Sequence, residues 1–408
     1  MRLASLVRPA PLAAALACCL ATLAGASFAA DDVARKLAQD AIIVDTHIDA
    51  PGALVEKWAD IGKLSPDREF DYPRAREGGL DVAFMSIYTS AGQDASGQAR
   101  QAAHAQIDAV EAAVQRNPDK YPILTSPRDV ERLRAGGKVL LPLGMENGAP
   151  LGDDLAQLQV FFDRGVRYIT LAHSANNRIS DSSYVQVKQW NGLSPFGRQV
   201  VAEMNRLGIM VDVSHLGDAT AAEAIKLSKV PVIASHSAFR HFTPDFERNI
   251  SDELAKAVAA KGGVVQVPFG TAFVNPVAAA DIQAYYRAVN DFNKRNDALA
   301  AEGKPKEDFK AFSDAWDKAH PTPETLIEAV LEQIDYGIKL IGIDHVGIGS
   351  DFDGVDGALP TTLRTVADFP NFVAGLQARG YSDADIRKVL GENLLRVWRA
   401  VEDGSSKR

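Results

Sequence analysis

The sequence predicts an α/β fold, a (β/α)8 TIM barrel with one helical insertion. Eight short apolar runs with strand character alternate with helical patterns along the chain. Eight such units in roughly 370 residues are what a barrel with insertions needs. An open doubly wound sheet is the structural alternative, but no Gly-rich phosphate loop follows the first strand. No linker rich in Pro, Gly or Ser divides the chain, so we expect residues 30–408 to form a single domain.

The N-terminal segment has the pattern of a cleaved signal peptide. Arg2 and Arg8 supply a positive start, residues 11–25 an apolar stretch, and residues 27–29 a small-x-small cleavage site. We therefore expect residues 1–29 to be removed and the protein to be periplasmic or secreted. A membrane anchor is the alternative, but the apolar run is short for a spanning helix, so we expect no stable membrane insertion after cleavage.

The composition restricts both the partners and the chemistry. A net charge of −9 and the lack of a basic cluster argue against a nucleic-acid partner. Both cysteines, Cys18 and Cys19, lie in the segment expected to be removed, although a lipoprotein anchored through Cys18 is a weaker alternative. The mature chain then has no thiolate, so any metal site must use His and carboxylate side chains.

The first strand leads directly to candidate metal ligands. Residues 41–44 are an apolar run in which three of four side chains are β-branched, which is typical of a buried strand. His47 and Asp49 follow two residues apart, so both side chains point to one face, and Pro51 stops the strand. Imidazole and carboxylate together suit Zn²⁺, whereas the plain alternative is a strand end with two solvated polar residues.

The other elements follow from the same periodicities. Further strands are predicted at residues 81–88, 139–146, 168–173, 209–215, 230–236, 263–267 and 346–351. Helices are predicted at residues 31–39, 101–116, 155–164, 197–207, 219–227, 252–260 and 323–336. The main insertion spans about 278–320 and is highly charged and helical in composition. It is either a solvated surface excursion or a lid over the barrel mouth.

Ionisable side chains recur at the C-terminal ends of the predicted strands, where barrel enzymes place their sites. The set comprises His47, Asp49, Glu146, His173, His215, His236 and Asp351. Each residue alone has a structural alternative, such as a satisfied polar group at a buried strand end or, for Glu146, a helix cap. Together they supply two sets of His and carboxylate, enough for two metal ions that share one bridging carboxylate.

These stretches resemble the membrane (renal-type) dipeptidases, peptidase family M19 of the amidohydrolase superfamily, over nearly the whole mature chain. The motifs that carry the resemblance are His47-Ile48-Asp49-Ala50-Pro51, Gly144-Met145-Glu146-Asn147-Gly148, Leu171-Ala172-His173-Ser174-Ala175-Asn176, Asp212-Val213-Ser214-His215, Ser235-His236-Ser237-Ala238, Arg248-Asn249-Ile250-Ser251-Asp252 and Gly349-Ser350-Asp351-Phe352-Asp353-Gly354. There are departures: Ile48 and Ala50 replace the usual Asn and Leu, and residues 240–247 are looser than the family pattern.

The resemblance implies an enzyme that hydrolyses dipeptides with two zinc ions. His47 and Asp49 would hold one ion and His215 and His236 the other, with Glu146 bridging the two ions. A bridging hydroxide, formed because two cations lower the pKa of bound water, would attack the scissile carbonyl.

The resemblance also implies roles for three further residues. His173 would stabilise the developing oxyanion, and Asp351 would carry the proton from the nucleophilic water to the leaving amine. Arg248 would bind the C-terminal carboxylate of the substrate, which favours dipeptides and is compatible with a C-terminal D-residue. The family is commonly dimeric, so a homodimer is compatible with the resemblance.

Two alternatives remain open at this point. Another amidohydrolase on the same barrel, such as a lactonase or deaminase, more often begins with His-x-His and bridges its metals with a modified Lys. A catalytically inactive periplasmic binding relative would use the barrel mouth for recognition only. Of the remaining histidines, we expect His104 and His320 to be exposed, His241 to lie outside the site, and His345 to lie at the opposite face.

Overall fold

Eight parallel strands form the barrel in the computed structural model, which describes residues 32–406. The strands pair in chain order, each hydrogen-bonded to the next. A parallel bridge between Ile48 and Phe352 joins the first strand to the segment after the last and completes the barrel. The predicted (β/α)8 architecture is therefore confirmed, whereas the predicted signal peptide lies outside the described residues.

The strands are buried except at Tyr88, which ends β2 and is half-buried, as expected for a parallel barrel whose faces are both covered. They are β1 (Ile43–Ile48), β2 (Leu80–Tyr88), β3 (Leu143–Glu146), β4 (Val166–Thr170), β5 (Met210–Asp212), β6 (Ile233–Ala234), β7 (Val264–Val267) and β8 (Val346–Ile348). All eight predicted strands overlap these elements.

The helices surround the barrel or cover its mouth. They are α1 (32–40), α2 (Ala50–Glu56), α3 (Tyr72–Gly78), α4 (Ala91–Ala95), α5 (Ala99–Arg116), α6 (Val130–Leu133), α7 (Gln157–Asp163), α8 (Pro195–Leu207), α9 (Asp218–Leu227), α10 (Asp252–Ala260), α11 (Thr271–Val274), α12 (Pro276–Ala301), α13 (Phe309–Ala319), α14 (Ile327–Ile341), α15 (Phe369–Ala378), α16 (Asp383–Arg387) and α17 (Asn393–Asp403). Short 3₁₀ turns occupy Pro127–Asp129, Ala149–Leu151, Arg240–Phe242, Ile343–His345 and Val366–Asp368, and a π turn spans Lys388–Glu392.

Helix boundaries follow local capping chemistry. The Ser194 hydroxyl accepts from the Gly197 amide at the start of α8, and the Ser251 hydroxyl accepts from the Leu254 amide at the start of α10. The first of these helices ends at Gly208, whose φ of 79° suits a residue without a Cβ. The caps fix where each strand-to-helix loop ends.

Several strands are shorter than predicted, and for β3 and β6 a proline accounts for the difference. We expected the third strand to begin at Val139, but it begins at Leu143, because Pro142 has no amide hydrogen for the sheet ladder. Leu140 and Leu141 make only isolated bridges. We expected the sixth strand over residues 230–236, and only Ile233 and Ala234 form it, again after a proline.

Helices α12 and α13 form a hairpin that corresponds to the predicted insertion. Phe292 is buried between them, with its ring 4.8 Å from that of Phe312 and 5.7 Å from that of Phe309. The Asn296 side chain also bonds the backbone of Glu307 through both its oxygen and its nitrogen. One face of the hairpin is exposed to solvent, as expected for a surface excursion. The other face lines a cavity at the barrel mouth, as expected for a lid.

Candidate metal centre and active site

The candidate ligands come from different strands and meet at one end of the barrel. His47 lies within β1 and Glu146 ends β3, whereas the other members of the set follow strand ends in loops. Asp49 stands at the N-cap of α2 but its side chain caps no amide. Glu146 caps no helix either, and its Oε2 accepts from the Ser86 hydroxyl at 3.3 Å. The capping alternative for Glu146 is therefore wrong, because the side chain points into the barrel mouth.

The donor atoms lie close to the separations that the ligands of a shared metal ion would have. His47 Nε2 is 3.4 Å from Asp49 Oδ2 and 3.4 Å from Glu146 Oε2. Glu146 Oε1 is 3.1 Å from His215 Nε2 and 3.3 Å from His236 Nε2. Ligands of a tetrahedral zinc with bonds of 2.0–2.2 Å are about 3.3–3.6 Å apart. One carboxylate therefore reaches both groups of donors, each with its own oxygen.

The proton of His47 is fixed by a tyrosine from across the barrel. The Tyr168 hydroxyl donates its only hydrogen to the Thr46 carbonyl at 3.0 Å and lies 2.8 Å from His47 Nδ1. It must therefore accept from Nδ1, which places the hydrogen of a neutral ring there and leaves the lone pair on Nε2. His47 Nε2 is buried and has no hydrogen-bond partner among the described residues.

A second relay fixes the proton of His236 in the same way. The Ser235 hydroxyl donates to Asp212 Oδ2 at 2.6 Å and lies 2.8 Å from His236 Nδ1. Asp212 also accepts from the Thr170 hydroxyl and from two backbone amides, so it is a carboxylate with no proton to return. The hydrogen of a neutral His236 ring therefore lies on Nδ1, and its Nε2 is free to bind a cation.

The Nε2 atom of His215 faces that of His236 at 2.7 Å. Arg248 Nη2 is 3.0 Å from His215 Nε2 and can only donate, so this nitrogen is an acceptor as well. Two nitrogen lone pairs and the oxygen of Glu146 thus converge without a hydrogen to share. The donor set fits a metal cation at each end of Glu146.

The electrostatics of the site also favour cations. The side chains of His47, Glu146, Asp351 and Asp49 are 0%, 5%, 10% and 15% exposed. Burial of Glu146 raises its pKa, but the nearby His47 and His173 rings outweigh this effect and hold the pKa well below its usual value. Burial, followed by the charge of Arg248 for His215 and of His47 for His236, holds the pKa of each of these two imidazoles well below its usual value. Neutral His215 and His236 beside the Glu146 carboxylate are in the state that binds a metal. Burial lowers the pKa of His47, but Tyr168, Glu146 and Asp49 outweigh this and hold it well above its usual value, so a metal that binds His47 displaces a proton.

Asp351 lies beside the first group of donors. Its Oδ1 is 3.9 Å from His47 Nε2, and its backbone has a left-handed φ of 68°. Burial, and then the charge of Asp49, raises the pKa of Asp351 well above its ordinary value. The side chain caps no turn, so the capping alternative does not hold, whereas the distance to His47 leaves a ligand role open.

Arg248 and His173 border the second group of donors. Arg248 is buried and donates to the Ser237 hydroxyl at 3.1 Å and the His236 carbonyl at 2.8 Å. No carboxylate of the described residues lies within ion-pair distance of its guanidinium, and the ring of Phe273 covers it at 4.8 Å. His173 Nε2 is 3.3 Å from Glu146 Oε1, close enough to join the metal ligands or to face a substrate.

Several residues of the site were not predicted. The ring of Tyr168 reaches His47 because Gly144 lies beside it in the sheet, where any Cβ would stand 2.0 Å from the ring. Tyr184, in the loop after β4, has its ring 5.9 Å from that of His215. Tyr88 meets the His173 ring edge-on at 4.7 Å. The Gly144-to-Tyr168 spacing carries no signal in a single sequence, and tyrosines in loops are too common to mark a site.

The remaining histidines lie outside the metal centre. His104 is half-buried, against the prediction, because its ring stacks on Phe161 at 5.0 Å. His320 is exposed, His241 stacks on Tyr336, and His345 contacts the Gly263 carbonyl before β8 begins. Among residues 32–406, no helix is both long and apolar enough to cross a membrane.

The fold and the site match one protein family. Residues 31–408 match the family described as membrane dipeptidase, peptidase family M19. The chain is 29% identical over 340 residues to dipeptidase tcpJ of Claviceps purpurea, covering 82% of this chain and 69% of that protein.

Solved structures agree with this assignment. The probable dipeptidase PvdM of Pseudomonas aeruginosa is 29% identical, with a TM-score of 0.80 over 92% of this chain and 99% of that one. A metallopeptidase of family M19, dipeptidase AC, is 25% identical with a TM-score of 0.71, covering 88% of this chain and 98% of that one. The chain therefore belongs to the membrane dipeptidase family, peptidase family M19 of the amidohydrolase superfamily, and is a metallo-dipeptidase.

Proposed function

We propose that this protein is an exported dipeptidase that uses two zinc ions per chain. The observation that carries the proposal is the convergence of acceptor atoms on either side of Glu146. His47 and Asp49 would hold one ion, and His215 and His236 the other. The mature chain has no cysteine, and His and carboxylate ligands with an open position are typical of catalytic zinc.

The bound ions would lower the pKa of a water molecule between them and polarise the scissile carbonyl. The chain's own residues then hold the substrate and move protons. Asp351 accepts the proton of the attacking water and returns it to the leaving amine, a role supported by its raised pKa and its closeness to His47. His173 donates to the oxygen on which charge develops.

Arg248 binds the C-terminal carboxylate of the dipeptide. A buried guanidinium with no carboxylate partner among the described residues is costly to maintain, and a substrate anion would neutralise it. Its Nη2 must turn from His215 Nε2 when that nitrogen binds a metal, which frees a donor for the substrate. Such a clamp need not contact the α-carbon substituents, so we propose that a C-terminal D-residue is accepted.

Metal analysis and a dipeptide panel test the proposal. Purified protein should contain close to two zinc ions per chain and should hydrolyse Ala-Ala with either an L- or a D-residue at the C-terminus. Glu146→Gln should weaken both sites together because one carboxylate serves both ions. Loss of one ion only would contradict the bridging role, and zinc-loaded protein without dipeptide turnover would favour an inactive binding relative. Preferred turnover of a lactone or a deaminase substrate would favour the other amidohydrolase reaction.

A homodimer is also proposed, on the strength of the family resemblance alone. Light scattering of the purified mature protein should give twice the mass of one chain. A mass of a single chain across a range of concentrations would contradict it.

A further inference from the structure

The cavity above the metal centre is much larger than a small dipeptide. Its volume is about 1150 Å³, and it extends from Glu146 and the site histidines to the hairpin of α12 and α13. Pockets for drug-sized ligands are about 300–1,000 Å³. The extra space therefore lies where the hairpin contributes its side chains.

A continuous aromatic wall, which we define as Tyr184, Tyr286, Tyr285 and Trp316, runs from the metal centre into this extra space. Tyr184 lies near His215, and the Tyr286 ring packs on it at 4.2 Å. Tyr285 follows at 5.8 Å from Tyr286 and lies 5.7 Å from Trp316. The hydroxyls of Tyr184 and Tyr286 have no hydrogen-bond partner among the described residues, although both side chains line the cavity.

The outer end of the aromatic wall carries a carboxylate. Asp281 Oδ2 is 3.4 Å from Trp316 Nε1, and its Oδ1 is 3.9 Å from His320 Nε2, and no Lys or Arg of the described residues pairs with it. Glu56 and Asp317 also line the cavity. Among the described residues, no Lys or Arg side chain lines the cavity. The extra space is thus aromatic and negatively charged.

We propose that the α12–α13 hairpin forms a specificity subsite for the cationic side chain of a lysyl or arginyl dipeptide. The stem of such a side chain packs along the aromatic wall, and its charge lies beside Asp281 at the edge of Trp316, because one face of the Trp316 ring is covered by the His320 ring at 4.1 Å. Aromatic rings and a carboxylate both attract a cation, and the described lining of the cavity includes no Lys or Arg that would compete with it. The inference rests on the proposed dipeptidase activity and names its substrate class.

Steady-state kinetics on the zinc-loaded full enzyme tests the subsite. Lys-Ala, Ala-Lys, Arg-Ala and Ala-Arg are compared with Ala-Ala and with the norleucine peptides, which have the length of lysine without its charge. One order of the basic peptides should exceed its norleucine counterpart in kcat/KM. Asp281→Asn should lower kcat/KM for that basic peptide by about five- to thirtyfold and leave Ala-Ala unchanged. Trp316→Leu should act in the same direction.

Asp314→Asn is the matched control, since Asp314 lies on the same hairpin but pairs with Lys310 outside the cavity. Equal kcat/KM for lysine and norleucine peptides, or no effect of Asp281→Asn, would overturn the subsite while leaving the dipeptidase activity intact. A preference for norleucine that Trp316→Leu abolishes would make the wall an apolar subsite instead. Failure of the zinc-loaded enzyme on every dipeptide would overturn the proposed function together with the subsite.

Discussion

Asp351 combines an unusual backbone geometry with an unusual electrostatic environment. Its φ of 68° is rare for a residue with a side chain, and a Cβ on the neighbouring Gly354 would stand 2.7 Å from its Oδ1. The loop therefore holds the carboxylate against the metal ligands at a conformational cost. A proton carrier needs a fixed position more than it needs a relaxed backbone.

We predict that Asp351→Asn lowers dipeptide turnover by about 10²–10⁴-fold while zinc content and melting temperature persist, because Asn keeps the size but lacks the basic oxygen. Zinc analysis, thermal melting and kinetics on one preparation check this. Asp245→Asn is the control, since Asp245 is exposed and has the same φ of 68°. Loss of zinc would make Asp351 a ligand, and near-normal turnover would remove it from the mechanism.

Tyr168 does not belong to the proposed metal ligands but orients one of them, His47, through a hydrogen bond. We predict that Tyr168→Phe lowers zinc affinity about 10–100-fold, because the group that accepts the His47 Nδ1 hydrogen is lost. Competition with a chelator of known affinity measures this. Tyr121→Phe is the control, since it also removes a buried hydroxyl bonded to a carbonyl, that of Ile61, but far from the metal centre. Equal zinc affinity in both variants would show that Tyr168 is merely structural.

The candidate metal ligands could be predicted from the sequence, whereas the residues that hydrogen-bond those ligands could not. His47, Glu146 and Asp351 could be found because barrel strands place their C-terminal residues at one face, and because these residue types bind metals. The contact of Tyr168 with His47 joins residues 121 positions apart and depends on the missing side chain of Gly144. Only the folded register reveals such a pair.

At the scale of elements, two reciprocal hydrogen bonds between Glu69 and Asp353 join the loop after β8 to the segment between α2 and α3. The Glu69 amide donates to Asp353 at 2.7 Å, and the Asp353 amide donates to Glu69. Burial, with the nearby charge of Asp353, raises the pKa of Glu69 from 4.5 to about 7. A carboxyl group with a raised folded pKa stabilises the fold at low pH, and this stability is lost as the pH rises from about 4.5 to about 7.

We therefore predict that Glu69→Gln flattens the fall in unfolding free energy between pH 4.5 and pH 7. The shift corresponds to at most about 3.5 kcal/mol, since each pKa unit is worth about 1.4 kcal/mol. Denaturant unfolding at several pH values, with the parent protein as reference, measures the difference. Glu332→Gln, at an exposed position of α14, should leave the pH dependence unchanged. A parallel fall in Glu69→Gln and parent would assign the pH dependence to other groups.

The ends of helices could be predicted where one capping side chain decides them. The ends of strands were harder to predict, because they depend on pairing with a neighbouring strand. The start of α10 at Asp252 follows from Ser251, which is visible in the sequence. The third strand was placed too early because Val139 to Leu141 are apolar, yet Pro142 breaks the ladder that would continue them. Apolar content alone does not show which residues find a partner strand.

At the scale of the whole molecule, the barrel holds the metal ligands and the α12–α13 hairpin lines the outer part of the cavity. The barrel brings the ligands from separate strands to one mouth, where Tyr168 fixes the proton of His47 and the Ser235–Asp212 pair fixes that of His236. The hairpin adds only to the outer cavity. Changes in the hairpin should therefore alter substrate choice without altering zinc content.

The last prediction concerns the N-terminal cleavage that the proposed export requires. We predict that the mature chain begins near Ala30, because residues 27–29 form a small-x-small cleavage site after the apolar stretch. The family match begins at residue 31 and the described fold at residue 32, so cleavage there would leave the barrel intact. N-terminal sequencing and the intact mass of protein from a periplasmic extract measure the cleavage. A chain that retains residues 1–29 would contradict export by cleavage, and one that begins at a lipid-modified Cys18 would make the protein a lipoprotein.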